Sequence, residues 1–278
     1  MAGWRGSRRS CRAMGMLAVG LGMGAAVAAV GCPPGIASAD PTAFDPNNFA
    51  VSIDGFTLFQ EGTATATSGT GDLAIADGAN SSAVADSGFL DMASAFGTDS
   101  EATTVGAGAS PGGLDVASAF GTDSEAASFG GFFDAASASG TGSTALVGVF
   151  NNPGSFDVAS AFGGNAFAAA GDGNFDNAVT FDPFGTITSA AFAEHGSGDY
   201  ASIFGDGDSA MAGGAGNFGN GDIAAVFGND STALAGADPT GITGNFDLAA
   251  DFGNMLDANA TGANFLIDVM TILGNLGL

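Results

Sequence analysis

The chain is 278 residues long and carries 29 acidic residues against four basic ones, a formal net charge of −25 at pH 7. The four cations, Arg5, Arg8, Arg9 and Arg12, all fall in the first twelve positions, and every acid comes later, from Asp40 onward. Binding to nucleic acid rests on cations that neutralise phosphate, so it is excluded for everything beyond Arg12, and anionic substrates are disfavoured for the same reason. Glycine, at 48 residues, is far above the ordinary level of about 7%. The 24 Phe residues, regularly spaced, argue against a disordered chain, which is usually poor in aromatics.

In chain order, residues 1–39 read as a secretory signal peptide. A basic head is followed by an apolar, small-residue run from Met14 to Val30 and by Ala37-Ser38-Ala39, an A-x-A cleavage site. Two variants of export remain open. Arg8-Arg9 is a twin arginine, and Ala29-Val30-Gly31-Cys32 resembles a bacterial lipobox, which implies lipidation at Cys32. Both cysteines, Cys11 and Cys32, precede Ala39, so a chain beginning at Asp40 has no disulfide.

Residues 40–70 read as a linker and N-terminal cap with one degenerate coil. Residues 71–262 carry the repeat. Its anchors are Asp72, Asp91, Asp115, Asp134, Asp157, Asp176, Asp199, Asp222 and Asp247, spaced 19 to 25 residues apart. Ala stands two places after every anchor. Phe stands five places after in seven of nine units, and Gly six places after in all but the Asp176 unit, where Asp182 replaces it. Ala recurs eleven places after, with Ile187 the exception. A unit therefore reads D-x-A-x-A-F-G, a short turn, S-x-A-x-A, then a variable loop. That is the signature of an all-β protein: a parallel β-solenoid of about nine stacked coils of ~22 residues each. At about 4.8 Å per coil the stack is roughly 40 Å long.

Strand side chains alternate between faces. The anchor Asp shares a face with the Ala at +2 and +4, and Phe at +5 lies on the other. Since carboxylates favour water, this predicts Asp and Ala outward and Phe inward. In the second strand, +11 and +13 are expected to point inward and the mostly polar +10 outward. Residues 263–278 read as a hydrophobic C-terminal cap, with Leu266, Val269, Met270, Leu273 and Leu276 at helical spacing.

Units such as Ser94-Ala95-Phe96-Gly97 and Ser160-Ala161-Phe162-Gly163 resemble the left-handed β-roll heads of trimeric autotransporter adhesins. Pieces such as Gly216-Asn217-Phe218-Gly219-Asn220-Gly221 are similar in composition to the PGRS and MPTR repeat proteins that mycobacteria secrete, here without a PE or PPE module. These resemblances imply a secreted or surface-exposed adhesive or structural protein. Basicity carried by Arg alone, with abundant Gly and Ala, fits a high-GC, actinobacterial source.

The only His, His195, lies in Glu194-His195-Gly196 and reads as an exposed loop residue rather than a catalytic base. Two carboxylates suffice for glycoside hydrolysis, but every unit carries the same Asp and none is singled out. The chain is therefore read as non-enzymatic, with a polysaccharide-active β-helix as the remote alternative. The nearer alternative is a Ca²⁺-binding β-roll. Anchors stacked about 4.8 Å apart in water repel by roughly 0.9 kcal/mol per pair, and a hard, oxygen-seeking cation relieves this. The candidate ladder is the nine anchors themselves, set against the plainer reading that each Asp bonds nearby backbone. Self-association, or an envelope or host ligand, is the expected partnership.

Overall fold

Each anchor Asp immediately precedes a strand, because the D-x-A-x-A-F-G run alternates strictly and is closed at both ends by residues suited to turns. The computed structural model describes residues 45–86, 88–105, 113–148, 154–171, 173–183, 189–213, 219–236, 245–261 and 267–271. All belong to one unit, Ser38–Leu278, separate from Met1–Ala37; the signal-peptide reading lies outside the described residues.

The described chain is all-β, a parallel solenoid of two sheets. The larger sheet, here the anchor sheet, takes one strand after each anchor: Leu73–Asp77, Met92–Thr98, Val116–Thr122, Ala135–Thr141, Val158–Gly164, Asn177–Asp182, Tyr200–Asp206, Ile223–Asn229 and Leu248–Asn254. These pair in parallel and in repeat register, Val116 beside Ala135 and Ala135 beside Val158. The second sheet is built from the S-x-A-x-A strands, from Thr65–Ser68 to Asp257–Thr261. The coil count differs slightly from the expected nine. At one end a hairpin, β1 (Phe49–Ile53) and β2 (Phe56–Glu61), joins the anchor sheet antiparallel, with Val51 beside Ile75. At the other, Ile267–Thr271 adds a parallel strand beside Leu248–Asn254. Those five residues are thus a strand and not the helix their spacing predicts. An open sheet edge offers a full row of backbone partners, whereas a short helix must nucleate alone. The rest of 263–278 lies outside the described residues.

The face assignment of the first strand is reversed. Ala117 and Ala119, and their equivalents in the other units, are fully buried, and so are the anchors. Phe120 is 36% exposed and Phe204 52%. Among the described residues the largest fully buried side chains are Val147, Val226, Thr104, Thr180 and eight Asp residues; no ring is among them. In the second strand the expected inward positions are inward. Ala126 and Ser128, or Ala145 and Val147, face Ala from the anchor sheet. With methyl groups lining the interior from both sides, a ring has nowhere to go, so Phe is displaced outward.

The Ile187 exception resolves into an insertion. Ala168 pairs with Ala191 rather than with the eleventh residue after Asp176, and Ala191 and Ala193 fill the inward places. Four extra residues between the two strands leave the Ala pattern intact. At the N-terminal end Ala66 pairs with Ala83, the residue eleven places after Asp72, so the second strand of the degenerate coil joins the stack in repeat register.

The corners depend on backbone that few side chains adopt. The residue eight places after the anchor is left-handed, as at Asn80, Asp99, Asp123, Asn165 and Asp230, and Asn and Asp tolerate that region best. Ser100 and Ser124, one place further on, donate to the carbonyls of Gly121 and Gly140 in the next coil, both at 2.7 Å. A Cβ on Gly97 would stand 1.9 Å from the Gly121 carbonyl oxygen, so Gly at +6 is what allows coils to stack this closely.

Candidate functional site

Two features are repeated from coil to coil: an interior ladder of anchor carboxyls and an outward apolar face. In the ladder, each anchor accepts through Oδ1 the backbone N–H of the next anchor. Asp115 N–H donates to Asp91 at 3.1 Å, Asp134 to Asp115 at 3.0 Å, Asp157 to Asp134 at 3.0 Å and Asp176 to Asp157 at 2.9 Å. The chain of bonds runs without a break from Asp72 to Asp247. The carboxyl oxygen satisfies the amide at each strand entrance.

The other oxygen is the costly one. Oδ2 of Asp134, Asp157, Asp176 and Asp199 is buried with no hydrogen-bond partner among the described residues. It lies against the backbone of a glycine three places before the anchor. A Cβ on Gly154 would fall 2.2 Å from Asp157 Oδ2, and one on Gly196 would fall 2.2 Å from Asp199 Oδ2. Gly occupies this place before all nine anchors: Gly69, Gly88, Gly112, Gly131, Gly154, Gly173, Gly196, Gly219 and Gly244. The full signature is therefore G-x-x-D-x-A-x-A-F-G, and the G-x-x-D part is the legible signal of a buried carboxylate that the anchor pattern alone misses.

Burial disfavours the charged form. Loss of hydration pushes the carboxyls of Asp115, Asp157 and Asp199 up to about 8, with the backbone donor opposing and the neighbouring anchors adding repulsion. For Asp134 and Asp176 burial lifts the value to about 7, and for Asp222 to about 6. Asp72 and Asp91 near the N-terminal end are raised by the same cause. Neighbours this close titrate as a set, and the formal charge of −25 overstates the charge of the folded chain at neutral pH.

The ladder does not have the form of a calcium site. Ca²⁺ takes six to eight oxygens, whereas the anchors from Asp72 to Asp222 each offer one oxygen to an amide, and Asp134, Asp157, Asp176 and Asp199 press the other against a glycine. Among the described residues no three His, Cys, Asp or Glu side chains converge on a common point. The plainer expectation, Asp bonded to backbone, is the arrangement present, except that the partner amide belongs to the next coil. His195 is partly exposed, with Nδ1 3.9 Å from Glu194 Oε2.

The outward face of the anchor sheet is made by positions +1, +3 and +5. Position +1 is mostly aliphatic, as in Val116, Val158 and Ile223; +3 is mostly Ser or Ala; +5 is mostly Phe. The +5 rings form runs along the stack. Phe96 and Phe120 lie 5.1 Å apart at 4°, Phe181 and Phe204 4.9 Å at 11°, and Phe227 and Phe252 5.3 Å at 2°. A second row stands just before the anchors, where Phe133, Phe156 and Phe175 stack at 5.0 Å centroid spacings. These residues are left-handed, with φ from 63° to 65°, a conformation costly for bulky side chains. Phe175 is 64% exposed. From Met92 to Asn254 no charged side chain belongs to positions +1, +3 or +5, although Glu101, Glu125 and Asp257 stand on the outward side of the second sheet and Asp99, Asp123 and Asp230 on the turns.

Comparison of the chain with protein-family models, with curated proteins and with solved structures finds no match in any of the three.

Proposed function

We propose that the chain is an exported, acidic repeat scaffold that works by presenting a surface rather than by catalysis, in an adhesive or structural role at the cell envelope. The observation that carries this reading is the outward face of the anchor sheet. The same uncharged, aromatic surface recurs coil after coil, while Glu101, Glu125 and Asp257 stand on the second sheet and Asp99, Asp123 and Asp230 on the turns. A large apolar patch of this kind marks an interaction surface, and repetition without a singled-out residue suits adhesion or assembly more than turnover. The arginine-headed apolar run and Ala37-Ser38-Ala39 support export.

N-terminal sequencing of the protein recovered outside the cell tests the export step. The expected first residue is Asp40. A lipid-modified Cys32 as first residue replaces soluble release by membrane anchoring, and retention of the whole chain inside the cell refutes the scaffold reading.

A further inference from the structure

We infer that the outward face of the anchor sheet is covered by the same face of a second copy, giving a face-to-face dimer; this rests on the scaffold reading and names its partner. The area is sufficient. Eight strands from Met92–Thr98 to Leu248–Asn254, most of them seven residues long, make a surface of about 38 Å by 23 Å, or roughly 900 Å². A standard specific interface buries about 800 Å² on each partner.

The relief of the face is self-complementary. Same-face rows on a strand lie about 7 Å apart. The +5 row is a ridge of Phe and the +1 row a lower aliphatic ridge. Between them the +3 row is a furrow, mostly of Ser as at Ser94, Ser118 and Ser160, broken by Val179 and continued by Ala225 and Ala250. A twofold axis lying in the plane of contact, parallel to the stack and between the +3 and +5 rows, sets the Phe ridge of each copy into the furrow of the other, and isologous contacts of this kind close at two copies. The furrow tolerates desolvation in part because Ser94 and Ser118 bond each other through their hydroxyls at 3.1 Å.

Ring geometry and charge separate this occupant from others. Sugars and cations approach the faces of aromatic rings, but the stacked pairs here spend their faces on one another and turn edges outward. A lipid surface carrying anionic headgroups repels a chain with 29 acids and no cation beyond Arg12. In a face-to-face dimer the acids on the turns and second sheets remain at the rims and outer sides, where physiological salt screens charges over about 8 Å.

The experiment is sedimentation velocity on the Ser38–Leu278 unit at pH 7 and 150 mM salt, from 1 to 100 µM. A dimer is expected. In the Phe204→Asp/Phe227→Asp variant the dissociation constant rises by at least about 100-fold while the far-ultraviolet circular dichroism of the sheets is retained. A control on the opposite side of the solenoid, Ser209→Asp/Thr232→Asp, leaves the dimer intact. A unit that is monomeric throughout overturns the proposal, as does equal weakening by both variants or binding of the monomer to phosphatidylcholine vesicles. Any of these leaves export and scaffolding standing, because those are read separately from where the protein is found and where its mature chain begins.

Discussion

Raising the pH should loosen this solenoid from the inside. In the folded state burial holds Asp115, Asp157 and Asp199 up at about 8, while in the unfolded chain each returns to the ordinary value near 3.8. The folded pKa is the raised one. The stabilising proton is therefore fully retained below about pH 4, and its benefit is lost progressively as pH climbs to about 8. Between pH 5 and 7 each of these groups binds a proton when folded and none when unfolded. One such group lowers stability by about 1.4 kcal/mol per pH unit and three together by about 4 kcal/mol per unit, with Asp134, Asp176 and Asp222 steepening the slope further at the acid end of this window. Urea unfolding followed by circular dichroism at pH 5, 6 and 7 measures the slope. High salt during the titration screens repulsion among surface carboxylates. Asp157→Asn keeps an acceptor for the Asp176 amide but removes one titrating site, so its slope should be shallower by about 1.4 kcal/mol per unit. Stability that is flat or rises between pH 5 and 7 would refute the idea that the ladder is held protonated.

The other perturbations separate interior from surface. Gly154→Ala places a methyl 1.7 Å from the Gly173 carbonyl and against Asp157 Oδ2, and should cost about 1–3 kcal/mol by overpacking, whereas Gly198→Ala, with nothing within 4 Å of its Cβ, should cost only the left-handed penalty of about 1 kcal/mol; chemical denaturation of both variants checks the difference. Phe120→Ala should cost about 1 kcal/mol or less, since the ring is partly in water and loses mainly its stacking on Phe96. Ala119→Leu, one residue away but pointing inward, should cost more, and thermal unfolding in the opposite order would restore the inward placement of Phe.

Much of the architecture is legible in the residues alone. Asp, Ala, Phe and Gly recur at constant offsets, and that recurrence places two strands and a turn in every coil. The inward positions of the second strand follow from the same alternation, because small residues at +11 and +13 face away from the polar +10. The C-terminal strand is less legible. Leu266, Val269, Met270 and Leu273 have helical spacing, and only an open sheet edge nearby turns 267–271 into another rung. Ile187 reads as a lapse in the repeat because nothing in the local residues marks a four-residue insertion; the pairing of Ala168 with Ala191 is what exposes it.

By itself, the sequence determined that Asp, Ala and Ala share one face of the first strand and Phe the other, since a period of two admits nothing else. Which of the two faces is the inside was decided only by tertiary structure. The preference of a carboxylate for water points one way, and it loses because the amide that satisfies Asp157 belongs to Asp176, in the next coil. That partner exists only once the coils have stacked. The width of the interior is also a property of the stack. Two sheets that each present methyl groups meet too closely to admit a ring, and that contact puts the carboxyls inside and the Phe rows on the outer face.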